Sequence, residues 1–137
     1  MIDREELCRE ALKARKNAYC PYSHFATGAA LLTKDGRIYT GCNVENNAYG
    51  PSNCAERTAF FKAVSEGERE FAAIAICGAM EDREPEEVCP PCGVCRQVMS
   101  EFCGGDFEVI LYASEGRMEV YTLDQILPLR FDLDSFH

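Results

Sequence analysis

Residues Phe71 to Gly78, Phe-Ala-Ala-Ile-Ala-Ile-Cys-Gly, form an almost unbroken apolar run. Its length suits a strand buried on both faces, and such strands belong to sheets that helices cover from both sides. The surrounding periodicity supplies those helices. Asp3 with Glu6 makes a capping box, and Leu7, Cys8, Ala11 and Leu12 then recur at helical spacing, which predicts a first helix to about Ala18, closed off by Pro21. Residues 27–34 and 37–42 flank Asp35-Gly36, a dipeptide that favours the positive φ angles of a tight hairpin turn, and so predict an antiparallel pair. Asn43 to Asn53, rich in Asn, Gly and Pro, reads as an ordered loop that delivers side chains to a site. Helices are predicted over Cys54 to Glu66, ended by Gly67, and over Cys92 to Phe102, ended by Gly104-Gly105; the acidic stretch 80–88 between them reads as a solvated loop. Phe107 to Ala113 and Arg117 to Thr122 are separated only by Ser114-Glu115-Gly116. That gap is shorter than the roughly dozen residues of a parallel crossover, so these strands form a hairpin before a short helix over Leu123 to Leu127. The expected fold is α/β, a mixed five-stranded sheet with helices on both faces and the last two strands antiparallel. The 137 residues suit a single domain over 1–137, because two independent cores of half that size would each be marginal.

Charge narrows the partners. Fourteen Lys and Arg against 23 Asp and Glu leave a formal charge of -9, which repels a phosphate backbone and an anionic bilayer. The sequence therefore argues against nucleic acid and membrane partners and for a small neutral or amphoteric ligand. No stretch reaches the roughly 18 apolar residues of a bilayer span, and the amino terminus Met1-Ile2-Asp3-Arg4-Glu5-Glu6 is too charged for a secretory signal. A cytoplasmic protein is expected.

In a reducing compartment nine cysteines are an anomaly that metal binding would explain in part. Cys92-Gly93-Val94-Cys95 places two thiols at i and i+3 behind Pro91, a residue favoured in a first helical turn, at the positive end of a predicted helix. That location favours thiolate, the form that binds zinc. Cys54 opens another predicted helix, and Glu56 follows it by two residues. Three thiolates from two helix starts could converge on one Zn²⁺ and leave its fourth position open to water, whereas a structural site would normally close that position. Three thiolates also leave an excess negative charge, which the helix starts could offset together with Arg57 and Arg96 donating to the sulfurs, although both, and Arg96 more than Arg57, also read as surface arginines. Glu56 is placed to exchange protons with a water at the open position, although a lone first-turn Glu is also what a helix dipole favours.

Cys54-Ala55-Glu56-Arg57 together with Pro91-Cys92-Gly93-Val94-Cys95-Arg96-Gln97 resembles the zinc-dependent cytidine deaminases in their short homotetrameric form. The resemblance extends over nearly the whole chain, through Pro21-Tyr22-Ser23-His24-Phe25, Gly28-Ala29-Ala30-Leu31, Asn43-Val44-Glu45-Asn46, Tyr49-Gly50 and Ile126-Leu127-Pro128. It implies that Cys54, Cys92 and Cys95 hold Zn²⁺ and that Glu56 shuttles protons during hydrolytic deamination of cytidine and deoxycytidine, with release of ammonia. It also implies that Asn43 and Glu45 grip the sugar hydroxyls, that Phe25 lines the base pocket, and that the molecule is a homotetramer whose subunits complete one another's pockets. Asn47 stands where the family more often has a small residue, and Pro51-Ser52-Asn53 is a stretch its pattern does not fix. His24 reads as a surface residue. Cys8, Cys20, Cys42, Cys77, Cys89 and Cys103 read as reduced packing residues, with Cys89 near enough in sequence to be checked as a stray ligand.

Three other readings compete. A deaminase of the same superfamily could act on another aminopyrimidine, such as the nucleoside antibiotic blasticidin S, although Asn43-x-Glu45 suits an ordinary ribose. A non-catalytic zinc module would need a fourth protein ligand, and a thiol redox protein would cycle Cys92 with Cys95. Neither of the last two accounts for Glu56 beside Cys54.

Overall fold

The computed structural model describes residues 2–114 and 116–133. Four helices, α1 (Arg4–Arg15), α2 (Ala55–Ser65), α3 (Gly93–Phe102) and α4 (Leu123–Ile126), accompany five strands, β1 (Phe25–Thr33), β2 (Ile38–Cys42), β3 (Phe71–Met80), β4 (Glu108–Ala113) and β5 (Arg117–Thr122). The strands form one sheet in the order β2-β1-β3-β4-β5. β1 is antiparallel to β2 and β3, β3 and β4 are parallel, and β4 and β5 are antiparallel. The parallel step is the one that α3 bridges, as a crossover of that kind requires.

β3 lies at the centre of the sheet, and its alternation divides the core. Ala73, Ala75 and Cys77 meet Leu7, Cys8 and Ala11 of α1 on one face; Ile74 and Ile76 join Ala59, Phe60 and Met99 beneath α2 and α3 on the other. Helices therefore cover both faces, which is why the segment carries no polar residue. The first face is built from small side chains, so α1 sits close to the sheet. The second is filled by aromatic rings: Phe60 stacks on Phe102 at 6.1 Å and meets Phe71 edge-on at 5.2 Å.

Several element ends differ from their sequence expectation. α1 stops at Arg15 rather than Ala18, and β1 starts at Phe25, two residues early, because it pairs as far as Met80 at the end of β3. Only Gly36 of the Asp35-Gly36 pair takes positive φ, at 95°. The connection is thus a longer loop, closed by Gly36 N–H to the Thr33 carbonyl and Thr33 N–H to the Arg37 carbonyl, in place of a two-residue turn. In the β4-β5 hairpin Ala113 pairs with Arg117 and Gly116 has φ 75°, while Glu115 lies outside the described residues. No helix among the described residues is long and apolar enough to cross a membrane.

One glycine sets the seat of α2. A Cβ on Gly41 would lie 2.5 Å from the Ala55 carbonyl oxygen and 2.6 Å from the Ala59 nitrogen, so β2 and α2 touch backbone to backbone. Gly41→Ala is expected to destabilise the fold by about 3 kcal/mol, since backbone atoms cannot step aside as a side chain can. For a chain of this size that corresponds to a fall of roughly 10 °C in Tm, which a thermal melt would read.

Candidate functional site

Cys54 and Cys92 are each the N-cap of a helix, α2 and α3, with extended backbone and no side-chain cap hydrogen bond. A cysteine at that position leaves the helix's first amides uncapped by its own side chain and frees the sulfur to turn elsewhere. Here both sulfurs turn toward each other. Pro91 accordingly precedes the cap instead of occupying the first turn, and Cys95 stands at the third helical position, close enough to meet Cys92. The Sγ atoms of Cys54 and Cys92 are 3.7 Å apart, those of Cys92 and Cys95 are 3.4 Å apart, and all three lie within 4.8 Å of one another.

These separations fit zinc. A tetrahedral ion with Zn–S bonds near 2.3 Å spaces its sulfurs by about 3.8 Å, whereas a disulfide would require about 2.05 Å. The structure thus joins the three cysteines picked out in the sequence, and no fourth Cys, His, Asp or Glu completes the group among the described residues. Cys89 is outside it.

Hydrogen bonding from Cys95, together with the Arg57 guanidinium, holds the Cys54 thiol well below its usual value against the cost of burial. Arg57 donates from Nη2 to Cys54 Sγ at 3.2 Å, and its own pKa rises in response. Cys95 is pushed up, because it is the donor to that thiolate and is buried. Arg57 therefore does what the sequence suggested, but Arg96 does not. Its Nε and Nη1 donate to the carbonyls of Pro91 and Ile126, each at 2.8 Å, and its charge is turned away from the sulfurs.

Glu56 occupies the second position of α2 with only 5% of its surface exposed. Burial, reinforced by the neighbouring Cys54 charge and opposed by its own backbone amide, pushes its carboxyl up to about 7. A carboxyl near that value can both take and return a proton at neutral pH. This is the carboxylate that helix spacing alone would assign to an ordinary first turn.

The loop after β2 brings in the other candidates. Val44 bridges Tyr19 on one side and Asn53 on the other, so Asn43 and Glu45 project together from an extended segment. Asn43, 9% exposed, accepts from Thr27 N–H at 2.9 Å and donates to the Phe25 carbonyl at 2.8 Å. Glu45 accepts from the Tyr22 and Ser23 amides at 3.0 and 3.1 Å and from the Ser23 hydroxyl at 2.5 Å. Those donors, the hydroxyl foremost, hold its carboxyl below the usual range, so it is an anion at neutral pH. Asn43 thus clamps the start of β1 and Glu45 the turn at 22–23 just before it, and each still has acceptor or donor capacity left over.

Phe25 lines a cleft with Gly78, Met80, Val88, Cys89 and Pro90. Gly78 was not legible as a site residue. A Cβ there would lie 3.0 Å from both the Cys89 sulfur and the Phe25 ring, so the bare backbone makes room for them. Burial, with the charges of Glu56 and Cys54, pushes the Cys89 thiol up to about 11. His24, half exposed, takes φ 59° and places Nδ1 2.8 Å from Glu81. Cys8 and Cys77 belong to the one core cluster between α1 and the sheet, and Cys103 packs against the opposite core, all with thiols raised by burial.

The Asn43 clamp gives a direct expectation. Asn43→Ala removes the partner of the Thr27 amide and the Phe25 carbonyl and is expected to cost about 1–3 kcal/mol of stability. A denaturant titration would read it.

Residues 1–112 match the family model described as the cytidine and deoxycytidylate deaminase zinc-binding region. The chain is 52% identical over 134 residues to a cytidine deaminase of Sporosarcina psychrophila, covering 98% of this chain and 95% of that protein. It is 46% identical over 136 residues to a cytidine deaminase of Halalkalibacterium halodurans, with 99% of each covered. Among solved structures, the crystal structure of cytidine deaminase from Burkholderia pseudomallei superposes with a TM-score of 0.87 at 46% identity, covering 95% of this chain and all of that one.

Proposed function

Given that this chain belongs to the zinc-dependent cytidine deaminases, we propose that it hydrolyses cytidine and deoxycytidine to uridine and deoxyuridine with release of ammonia, as a step of pyrimidine salvage. The observation that carries this reading is the buried Glu56 carboxyl on the same helix turn that presents Cys54 to Cys92 and Cys95. Cys54, Cys92 and Cys95 would hold Zn²⁺, which would supply Lewis-acid activation of the attacking water.

The chain's own groups do the rest. Glu56 takes a proton from the attacking water and returns protons to ring N3 and to the amine that leaves C4, the division of labour general to zinc deaminases. The Arg57 guanidinium favours the thiolate form of Cys54, the form that binds metal, and its own positive charge offsets part of the charge of three thiolates. Asn43 and the anionic Glu45 hold the sugar hydroxyls through the capacity that the β1 clamp leaves free. Phe25 offers an aromatic face to the pyrimidine.

The acidic surface, net charge -9, favours an uncharged nucleoside over a nucleotide or a nucleic acid. A homotetramer in the cytoplasm completes the reading. It is supported by apolar side chains that a lone subunit leaves exposed, Tyr49, Phe61, Val94, Leu129 and Phe131 among them. The test combines three measurements on the purified protein: ammonia release from cytidine, zinc per chain, and mass in solution by light scattering. Absence of turnover in a protein carrying one zinc per chain would refute the activity.

A further inference from the structure

Cys92 is the exposed member of the sulfur trio, whereas Cys95 is buried and Cys54 partly so. Its sulfur is committed to the group, so it cannot tie down its own backbone as an N-cap normally would. Something else must fix the peptide leading into it, because the chain before Cys92 is the loop 81–91, which contains no regular element. The structure supplies a clamp from the next turn of α3. Arg96 folds back so that Nε donates to the Pro91 carbonyl at 2.8 Å, and Nη1 donates to the Ile126 carbonyl, also at 2.8 Å. Two donors of one planar guanidinium thus join the peptide before a ligand to the last residue of α4.

α4 is a firm anchor despite its four residues. Leu123 is fully buried in the larger core cluster, and its amide donates to the Phe107 carbonyl at 2.9 Å; the Asp124 amide donates to Gly105 at 3.1 Å. Thr122 and Gln125 close a reciprocal capping box at the start of the helix. A continuous series of hydrogen bonds and packing therefore runs from the entry to β4 through α4 and Arg96 to the backbone of Cys92. We propose that Arg96 is a positioning residue that couples α4 to the ligand loop and keeps Cys92 in place on the metal. The inference rests on the reading of the three cysteines as a zinc site. It assigns Arg96 no contact with sulfur, substrate or the reacting atoms.

The experiment measures zinc release from the loaded protein into excess chromogenic chelator at 25 °C, together with Tm. Four variants are compared with the wild type: Arg96→Ala, Arg96→Lys, Gln125→Ala and Leu7→Ala. Loss of a group that orients a metal ligand typically weakens metal binding by 10–100-fold, so Arg96→Ala is expected to release zinc about tenfold faster or more. Arg96→Lys, able to reach one carbonyl but not bridge two, falls between it and the wild type. Gln125→Ala, which touches neither the loop nor Arg96, also speeds release, because it loosens α4. Leu7→Ala lowers Tm through the opposite core cluster and leaves the release rate unchanged. Should Arg96→Ala fail to fold, Arg96→Lys and Gln125→Ala carry the test. Release at the wild-type rate in these variants, or release that merely follows Tm across all four, overturns the coupling. A wild type that takes up no zinc overturns the zinc reading, and this inference with it.

Discussion

Glu56→Gln is expected to lower cytidine turnover by about 10⁴-fold, the upper range for a general acid-base group, because one carboxyl serves more than one proton transfer. Zinc content and fold should survive. Glu56 is not one of the converging ligand atoms, and an amide of the same shape resembles the uncharged carboxyl that burial favours at this position. The decisive comparison is therefore kcat per bound zinc. A variant that keeps its metal and turns over cytidine at the wild-type rate would remove Glu56 from the proposed mechanism. A variant that loses the metal as well would mean that the carboxyl helps hold the site together.

Cys95→Ala is expected to strip the protein of zinc and abolish activity with it, and to do more damage to stability than its size suggests. The sulfur is 1% exposed and lies 3.4 Å from Cys92. Its removal breaks the ligand trio and takes one sulfur from beside the Arg57 guanidinium, whose Nε is buried with no hydrogen-bond partner among the described residues. A ligand present at a thousandfold its Kd stabilises a fold by about 4 kcal/mol. For 137 residues that amounts to a fall of roughly 15 °C in Tm, and added chelator should lower the wild type by a similar amount while scarcely affecting the variant. A variant with a full zinc complement would show that two thiolates suffice and that the third sulfur only packs.

The sheet was legible because its signals are local. The apolar run at 71–78 is what a strand covered on both faces needs, and the three residues 114–116 leave no room for anything but a hairpin. Where pairing decided the outcome, local signals fell short. Phe25 and Ala26 join β1 because Met80 and Ala79 lie opposite them, and Asp35-Gly36 does not make a two-residue turn because Thr33 bonds across to Arg37. The ligand cysteines announced themselves by spacing and by their place at helix starts. The two arginines beside them each follow a motif residue, and the surface reading stood more strongly for Arg96; Arg57 reaches a sulfur and Arg96 reaches two carbonyls. Nothing in a one-dimensional pattern distinguishes these, because the direction of a long side chain depends on which acceptors the tertiary structure leaves open.

The sequence by itself determined the elements, their two-sided core and the three sulfurs with a carboxylate close behind, since each follows from periodicity or from residue chemistry at short separation. The tertiary structure decided the burial of Glu56, the contact of Arg57 with Cys54, the hold of Asn43 on β1 and of Glu45 on the turn before it, and the bridge from α4 to the ligand loop. Those are properties of burial and of contacts between residues far apart in the chain. Desolvation and hydrogen bonding arise only when such residues meet, and that meeting turns an ordinary first-turn glutamate into an acid poised near neutrality.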